Sequence, residues 1–474
     1  MKKLTLFAVI FSLLALAANA QNKFIGSWEG AIKTTKTVRL IFHIKEDAGK
    51  LSATMDSPDQ GVTGIGCKAV NINGDSVIID MSGVGIMYKG KMTTDSTITG
   101  IWQQGGMSVP IDFMKTANPA ELYRPQTPKP PFNYVSEDVV YTNKDKSIQY
   151  GATITMPNGK GPFPAVLLIT GSGQQNRDEE IFGHKPFAVI ADYLTRNGYA
   201  VLRVDDRGMG QTTGNLKNVT TADFAQDAEV SLDYLKSRKE VDKKKIGLMG
   251  HSEGGMIAEM LASERKDIDF IVLLAAPGVN VKDLMKDQAG AVLAANGVDS
   301  PLVNEYRKLY GSMEDAALTS KGASDMREKM MLAVKTWKLG ASQDAIRTVG
   351  LNTADDEVDY VNQMQGALTG AWFSYFLRFD PQPYLRNLSC KVLALNGERD
   401  IQVPARANLE GIRQSLAKSK TKVYEVKELK GLNHLFQQCT TCTVKEYAAL
   451  TETMSAAALR TISEWLDANV KAKL

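Results

Sequence analysis

Lys245-Ile246-Gly247-Leu248-Met249-Gly250-His251-Ser252-Glu253-Gly254-Gly255-Met256-Ile257-Ala258 is the stretch whose reading decides the fold. Residues 245–249 form a short apolar run, the length of a buried strand. Residues 255–262, Gly-Met-Ile-Ala-Glu-Met-Leu-Ala, read as a helix. Between them stands G-x-S-x-G, Gly250 to Gly254. A sharp strand-to-helix turn of this kind strains the serine backbone and lifts its oxygen above a sheet. Glycines on either side lack a Cβ, so strand and helix can approach closely. The helix N-terminus that follows turns partial positive charge toward the serine. Ser252 is therefore the candidate nucleophile.

A serine nucleophile needs a base, and the usual one is histidine. The chain has four: His43, His184, His251 and His434. In a strand–turn–helix arrangement the chain order is Ser, then Asp or Glu, then His. His251 sits inside the elbow, with its side chain directed away from the serine oxygen. Only His434 lies downstream, in a loop after the strand-like run at 422–426. The acid must fall between them. Lys391 to Gly397 reads as a buried strand ended by a glycine turn. Asp400 follows at an offset from which it reaches the second nitrogen of the histidine, and Glu398 is the reserve candidate. Asp380 is set aside, since it lies in an aromatic segment before a proline. The strand at 163–169 runs into Thr170-Gly171-Ser172-Gly173, a turn whose backbone N–H groups can face a developing negative charge. Ser172 and Glu253, the residue after the nucleophile, are the expected oxyanion donors.

Taken together these pieces resemble the α/β-hydrolase superfamily, and more narrowly secreted bacterial carboxylesterases with a serine aminopeptidase-like hydrolase domain behind a β-rich domain. The resemblance rests on Gly161-Pro162-Phe163-Pro164-Ala165, Gly171-Ser172-Gly173, Arg177-Asp178-Glu179 and His184-Lys185-Pro186-Phe187. It rests further on Asp206-Arg207-Gly208-Met209-Gly210, the elbow, Trp372 to Leu377, and Asn433-His434-Leu435-Phe436. It implies ester hydrolysis through an acyl-enzyme, with no cofactor and no metal. The sequence departs from the resemblance at Gln174-Gln175-Asn176, where a proline-containing run is expected, and at Cys439-Thr440-Thr441-Cys442. Two rivals stay open. One is a serine aminopeptidase on the same fold, which needs a carboxylate to hold the substrate amine. The other is a non-catalytic exported binding protein.

With 474 residues, several domains are expected. Lys2-Lys3, the apolar run Leu4 to Leu16 and Ala18-Asn19-Ala20 read as a signal peptide at 1–20, which implies a periplasmic or secreted protein. Losing the two lysines lowers the formal charge from +3 to +1. That balance gives no reason to invoke nucleic acid. No other run is long and apolar enough to span a bilayer, so no membrane insertion is expected after signal cleavage. The cysteines are Cys67, Cys390, Cys439 and Cys442. In an exported chain the last two are either a small local disulfide or free thiols. The expected partners are a small-molecule ester and, through the β-rich domain, a second copy in a homodimer.

Residues 21–117 carry short alternating runs and Asn73-Gly74, a hairpin turn signal. Gly26-Ser27-Trp28 and Gly100-Ile101-Trp102 resemble the pattern of small lipocalin-like barrels. The tryptophans are expected as core anchors, and no titratable cluster is expected there. Residues 118–133 are proline-rich and read as a linker. From residue 134 strands alternate with helices at 163–169, 199–204, 245–249, 269–275, 391–396 and 422–427. The expected fold is therefore α/β: a mostly parallel sheet flanked by helices, with active-site loops at the strands' C-terminal ends. The interval at about 279–385 is too long for a crossover and reads as a helical cap. Trp372 and Tyr375, near its end, are the pocket candidates.

Overall fold

The computed structural model describes residues 23–33, 37–47, 49–60, 62–117 and 123–471. The expected signal peptide and linker residues 118–122 lie outside them. The chain divides into two compact units, Met1–Arg124 and Pro125–Leu474.

The first unit is one antiparallel sheet. Its strands are β1 Gly26–Lys33, β2 Thr37–Asp47, β3 Lys50–Ser57, β4 Val62–Gly66, β5 Ala69–Asn73, β6 Ser76–Met81, β7 Ile86–Thr94, β8 Thr97–Gln104 and β9 Met107–Thr116. The order is β4-β3-β2-β1-β9-β8-β7-β6-β5, so first and last strands pair at the centre. The Cys67 N–H donates to Ala53 O (2.9 Å) and the next, Lys68, to Asp80 O (2.8 Å). Two adjacent residues thus bridge β3 and β6, and the sheet curls into a half-barrel. Alternation along each strand sends Trp28, Phe42, Tyr88, Trp102 and Phe113 inward. Their rings fill the interior, with Phe42–Phe113 and Tyr88–Phe113 centroids 4.8 and 4.9 Å apart. The tryptophans are core, as their burial requires. The expectation of no titratable cluster needs correction. His43 bonds Ser27 Oγ (2.9 Å) through Nδ1 and Asp56 Oδ2 (2.8 Å) through Nε2. The register pairs Ser27 with His43 across β1 and β2, and Asp56 lies on neighbouring β3. Residues far apart in sequence meet through strand pairing, which no local pattern reveals.

The second unit holds β10 Val135–Thr142, β11 Gln149–Met156, β12 Phe163–Ile169, β13 Ala200–Val204, β14 Val241–His251, β15 Phe270–Leu274, β16 Lys391–Gly397 and β17 Tyr424–Leu429. Their order is β10-β11-β13-β12-β14-β15-β16-β17. β10 and β11 form an antiparallel edge, and the rest run parallel. Each central strand is apolar on both faces. Ala165, Leu167 and Ile169 of β12 enter one core, while Val166 and Leu168 enter the other. Helices Thr221–Ser237, Glu253–Glu264 and Ala405–Leu416 cover the first face; Pro186–Arg196 and Ala456–Asn469 cover the second. Gln126 is docked on this unit, donating to Met454 O (2.7 Å) and accepting from Thr453 N (2.5 Å).

Between β15 and β16 run helices Val281–Ala295, Ser300–Thr319, Ala323–Gly340, Gln343–Val349, Ala354–Leu368, Ala371–Arg378 and Gln382–Arg386. Most share a separate core around Leu309, Met313, Met330, Val334 and Val361. Phe376 and Phe379 pack instead against Met256, on the helix after the elbow.

Candidate active site

Parallel register brings the strand ends level. Ile169 pairs with Gly250, Gly250 with Leu273, and Gly397 with Leu429. The loops after β12, β14, β16 and β17 therefore open on one edge of the sheet, and each carries an expected residue.

Ser252 has φ 53° and ψ −117°, a conformation that L-residues rarely adopt. Its N–H donates to Leu274 O (2.8 Å), which anchors the turn to the next strand. The elbow closes only because Gly250 and Gly254 are in contact: a Cβ on Gly250 would lie 2.0 Å from Gly254 O. The turn after β12 meets the same point, since a side chain at Gly171 would come within 3.3 Å of the Ser252 Cβ.

His434 is buried, and its Nδ1 is 2.7 Å from Asp400 Oδ2. The other oxygen of Asp400 accepts from Gln402 N (2.8 Å) and Val403 N (2.9 Å). A carboxylate held this way only accepts, so Nδ1 carries a proton. Glu398 does not compete: it accepts from Gly431 N (2.9 Å) at the surface. Ser252, His434, Gly171 and Ser172 line one cleft of about 900 Å³, part of it open to solvent. Among the described residues the Ser252 hydroxyl makes no hydrogen bond. Such contacts often tighten only with substrate bound.

Gly171 N is engaged by Glu179 Oε1 (2.7 Å). Ser172 N and Glu253 N make no hydrogen bond among the described residues, which leaves two donors beside Ser252. Side chains cross-link them. The Glu253 carboxylate accepts from the Ser172 hydroxyl, from Thr221 Oγ1 (2.6 Å) and from Trp372 Nε1 (2.8 Å). Burial pushes this carboxyl up while the three donors pull it down. Behind the turn, Asp206 accepts from Thr170 Oγ1 (2.7 Å) and Gln175 N (2.8 Å), and burial pushes it up to about 7. The departure at Gln174-Gln175-Asn176 is thus braced by side chains: Gln174 Nε2 also donates to Arg207 O (3.0 Å), and Asn176 Oδ1 accepts from Asp178 N (3.0 Å). Arg177 clamps Asp205 and Arg207 clamps Asp227 in two-pronged pairs.

The cap wall is mostly apolar, with Leu284, Met285, Trp372, Phe373 and Phe376, and Gln288 as its one polar member among the described residues. Tyr375 is not part of it. On helix Ala371–Arg378, positions 372, 373 and 376 share a face and 375 is turned off it, bonded to Tyr384. Phe373 and Phe376 take its place. Among the described residues the one carboxylate in the cleft wall is Glu179, already engaged by Gly171 N and by His251 Nδ1 (3.0 Å). Beyond His434, Cys439 and Cys442 form a disulfide. Among the described residues no group of histidine, cysteine, aspartate or glutamate side chains is suited to hold a metal ion.

A family model described as serine aminopeptidase, S33, matches residues 185–346, a span that includes Ser252 but stops short of Asp400 and His434. Esterase EstD of Thermotoga maritima is 31% identical over 191 residues, covering 40% of this chain and 45% of that protein. A prolyl endopeptidase of Elizabethkingia meningoseptica is 29% identical over 221 residues, covering 42% of this chain and 29% of that one. The chain thus spans less than half the length of these curated relatives. A solved esterase of Pyrococcus furiosus aligns at TM-score 0.43 and 15% identity, over 72% of this chain and 92% of its own. In sheet order, elbow and sequence matches the second unit is similar to α/β-hydrolases, and it is preceded in the chain by an antiparallel β half-barrel.

Proposed function

We propose that this protein is an exported carboxylic ester hydrolase acting through Ser252, His434 and Asp400. His434 Nε2 takes the proton as Ser252 Oγ attacks the ester carbonyl. The N–H groups of Ser172 and Glu253 stabilise the oxyanion. The tetrahedral adduct collapses, His434 protonates the departing alcohol, and Ser252 carries the acyl group. Water then attacks with His434 as base and releases the acid. Asp400 holds the ring orientation and stabilises the imidazolium.

The observation that carries an ester over an aminopeptide is the state of the carboxylates. An α-ammonium group needs a free anion near the nucleophile. Glu179 is committed to Gly171 and His251, and Glu253 to Ser172, Thr221 and Trp372. The mostly apolar cap wall, with no charged side chain among the described residues, suits an uncharged acyl or alcohol group. The family match to serine aminopeptidases and the likeness to a prolyl endopeptidase keep a peptidase as the second reading. Export is supported by the pattern at 1–20 and by the Cys439–Cys442 disulfide, a bond of oxidising compartments. Hydrolysis of a p-nitrophenyl ester series beside aminoacyl-nitroanilides tests the proposal. Ester turnover lost in Ser252→Ala is expected; nitroanilide turnover with negligible ester activity would move the assignment to a peptidase.

A further inference from the structure

His251, the x before serine in G-x-S-x-G, is almost wholly buried, and both its ring nitrogens face acceptors. Nδ1 is 3.0 Å from Glu179 Oε1 and Nε2 is 3.1 Å from the main-chain oxygen of His434. A carboxylate and a carbonyl offer no proton, so both contacts are hydrogen bonds only when the ring is an imidazolium. The direction of its pKa agrees. Burial alone favours the neutral ring, but the Glu179 charge and hydrogen bond, the His434 carbonyl and the Asp400 charge together raise it. The same Glu179 oxygen also accepts from Gly171 N (2.7 Å), one residue before the expected oxyanion donor. The two histidine rings lie 4.7 Å apart. A single buried chain of bonds thus runs from the turn after β12, through Glu179 and His251, to the main chain of His434.

We infer that Glu179 and His251 are positioning residues: the pair fixes the loop carrying His434 against the turn carrying Ser172, so that base and oxyanion donors keep one geometry around Ser252. The inference rests on the reading of Ser252 and His434 as nucleophile and base. Neither Glu179 nor His251 exchanges a proton with substrate. The contribution is geometric, and displacements of about 1 Å at a reacting centre cost on the order of 100-fold in rate. The bond from Nε2 to the His434 carbonyl is the link that matters, because it alone reaches the base.

Two variants separate the two ends of the ring. In His251→Asn the amide nitrogen stands near the old Nδ1 and keeps a donor for Glu179. In His251→Gln it stands near the old Nε2 and keeps a donor for His434 O. The expected result is a kcat about 10- to 100-fold lower for His251→Asn, with KM within about twofold. His251→Gln is expected within about fivefold of wild type, although both variants lack the charge. Ring-¹⁵N NMR supplies a readout independent of turnover. His251 is expected doubly protonated at pH 7, and the His434 ring signals are expected to shift in His251→Asn and to be restored in His251→Gln. Equal kcat for wild type and both variants would overturn the inference. So would equal losses in the two that track melting temperature alone. A wild-type protein that turns over no ester but shows the expected ring signals would overturn the ester reading while supporting the positioning contact.

Discussion

At the scale of single residues, the account separates two acids that sequence left side by side. Asp400 bonds His434 and is buried; Glu398 bonds a surface N–H. Asp400→Asn is expected to lower kcat by about 10³–10⁴, because an amide favours the wrong tautomer. Glu398→Ala is expected to stay within about twofold of wild type, as a surface group outside the cleft. Steady-state kinetics on one ester decides between them, and the reverse ranking would reassign the triad. The elbow and the Asp400–His434 contact were legible because each signal is local: a glycine pattern, a lone downstream histidine, an acid just past a strand. Glu179 was not. It lies 72 positions from His251 and meets it only once the loops after β12 and β14 are level.

Elements carry the next level. The elbow tolerates no side chain at Gly254, where a Cβ would lie 2.1 Å from Ile169 O. Gly254→Ala is expected to destabilise the fold by about 3 kcal/mol or more, since backbone rather than a flexible side chain must yield. A denaturation midpoint unchanged from wild type would contradict the tight strand–helix contact. On helix Ala371–Arg378, Trp372 ties the cap to Glu253. Leaving a buried acceptor without its donor costs about 1–3 kcal/mol. Trp372→Phe is therefore expected to raise KM for bulky esters by roughly tenfold or more, with smaller effect on short ones; a uniform change across chain lengths would mean that Trp372 does not shape the pocket. The central parallel strands were legible as continuous apolar runs. β10 was not: Val135-Ser136-Glu137-Asp138 is mostly exposed on an edge and carries little apolar signal. The phase of Trp372 and Tyr375 was also hidden, because an aromatic run reads alike from every side until the helix has something to pack against.

For the whole molecule, each unit closes its own core. In the second unit Glu259 is fully buried, and among the described residues neither carboxylate oxygen has a partner. Burial pushes its pKa well above 4.5. The folded protein then holds a proton that the unfolded chain releases, so stability falls as pH rises from about 4.5 through the raised folded value. Glu259→Met is expected to remove that slope and to stabilise the protein by about 1–3 kcal/mol at pH 8, and less at pH 5. Thermal melts at both pH values check this, and an equal gap at the two would exclude a buried carboxyl as its source. The half-barrel was legible from alternation and tryptophan spacing, but the Ser27–His43–Asp56 array on its outer face was not. That array gives the central claim a sharp internal control, because Ser27 has His43 and Asp56 beside it on regular strands, whereas Ser252 stands on a strained turn beside the Ser172 and Glu253 N–H groups, which make no hydrogen bond among the described residues. The measurement that tests the claim most directly is mass spectrometry of the intact protein, then its peptides, after reaction with a fluorophosphonate. The account predicts one adduct, on Ser252, absent in Ser252→Ala and slow to form in His434→Ala. An unmodified Ser252, or an adduct on Ser27, would contradict it.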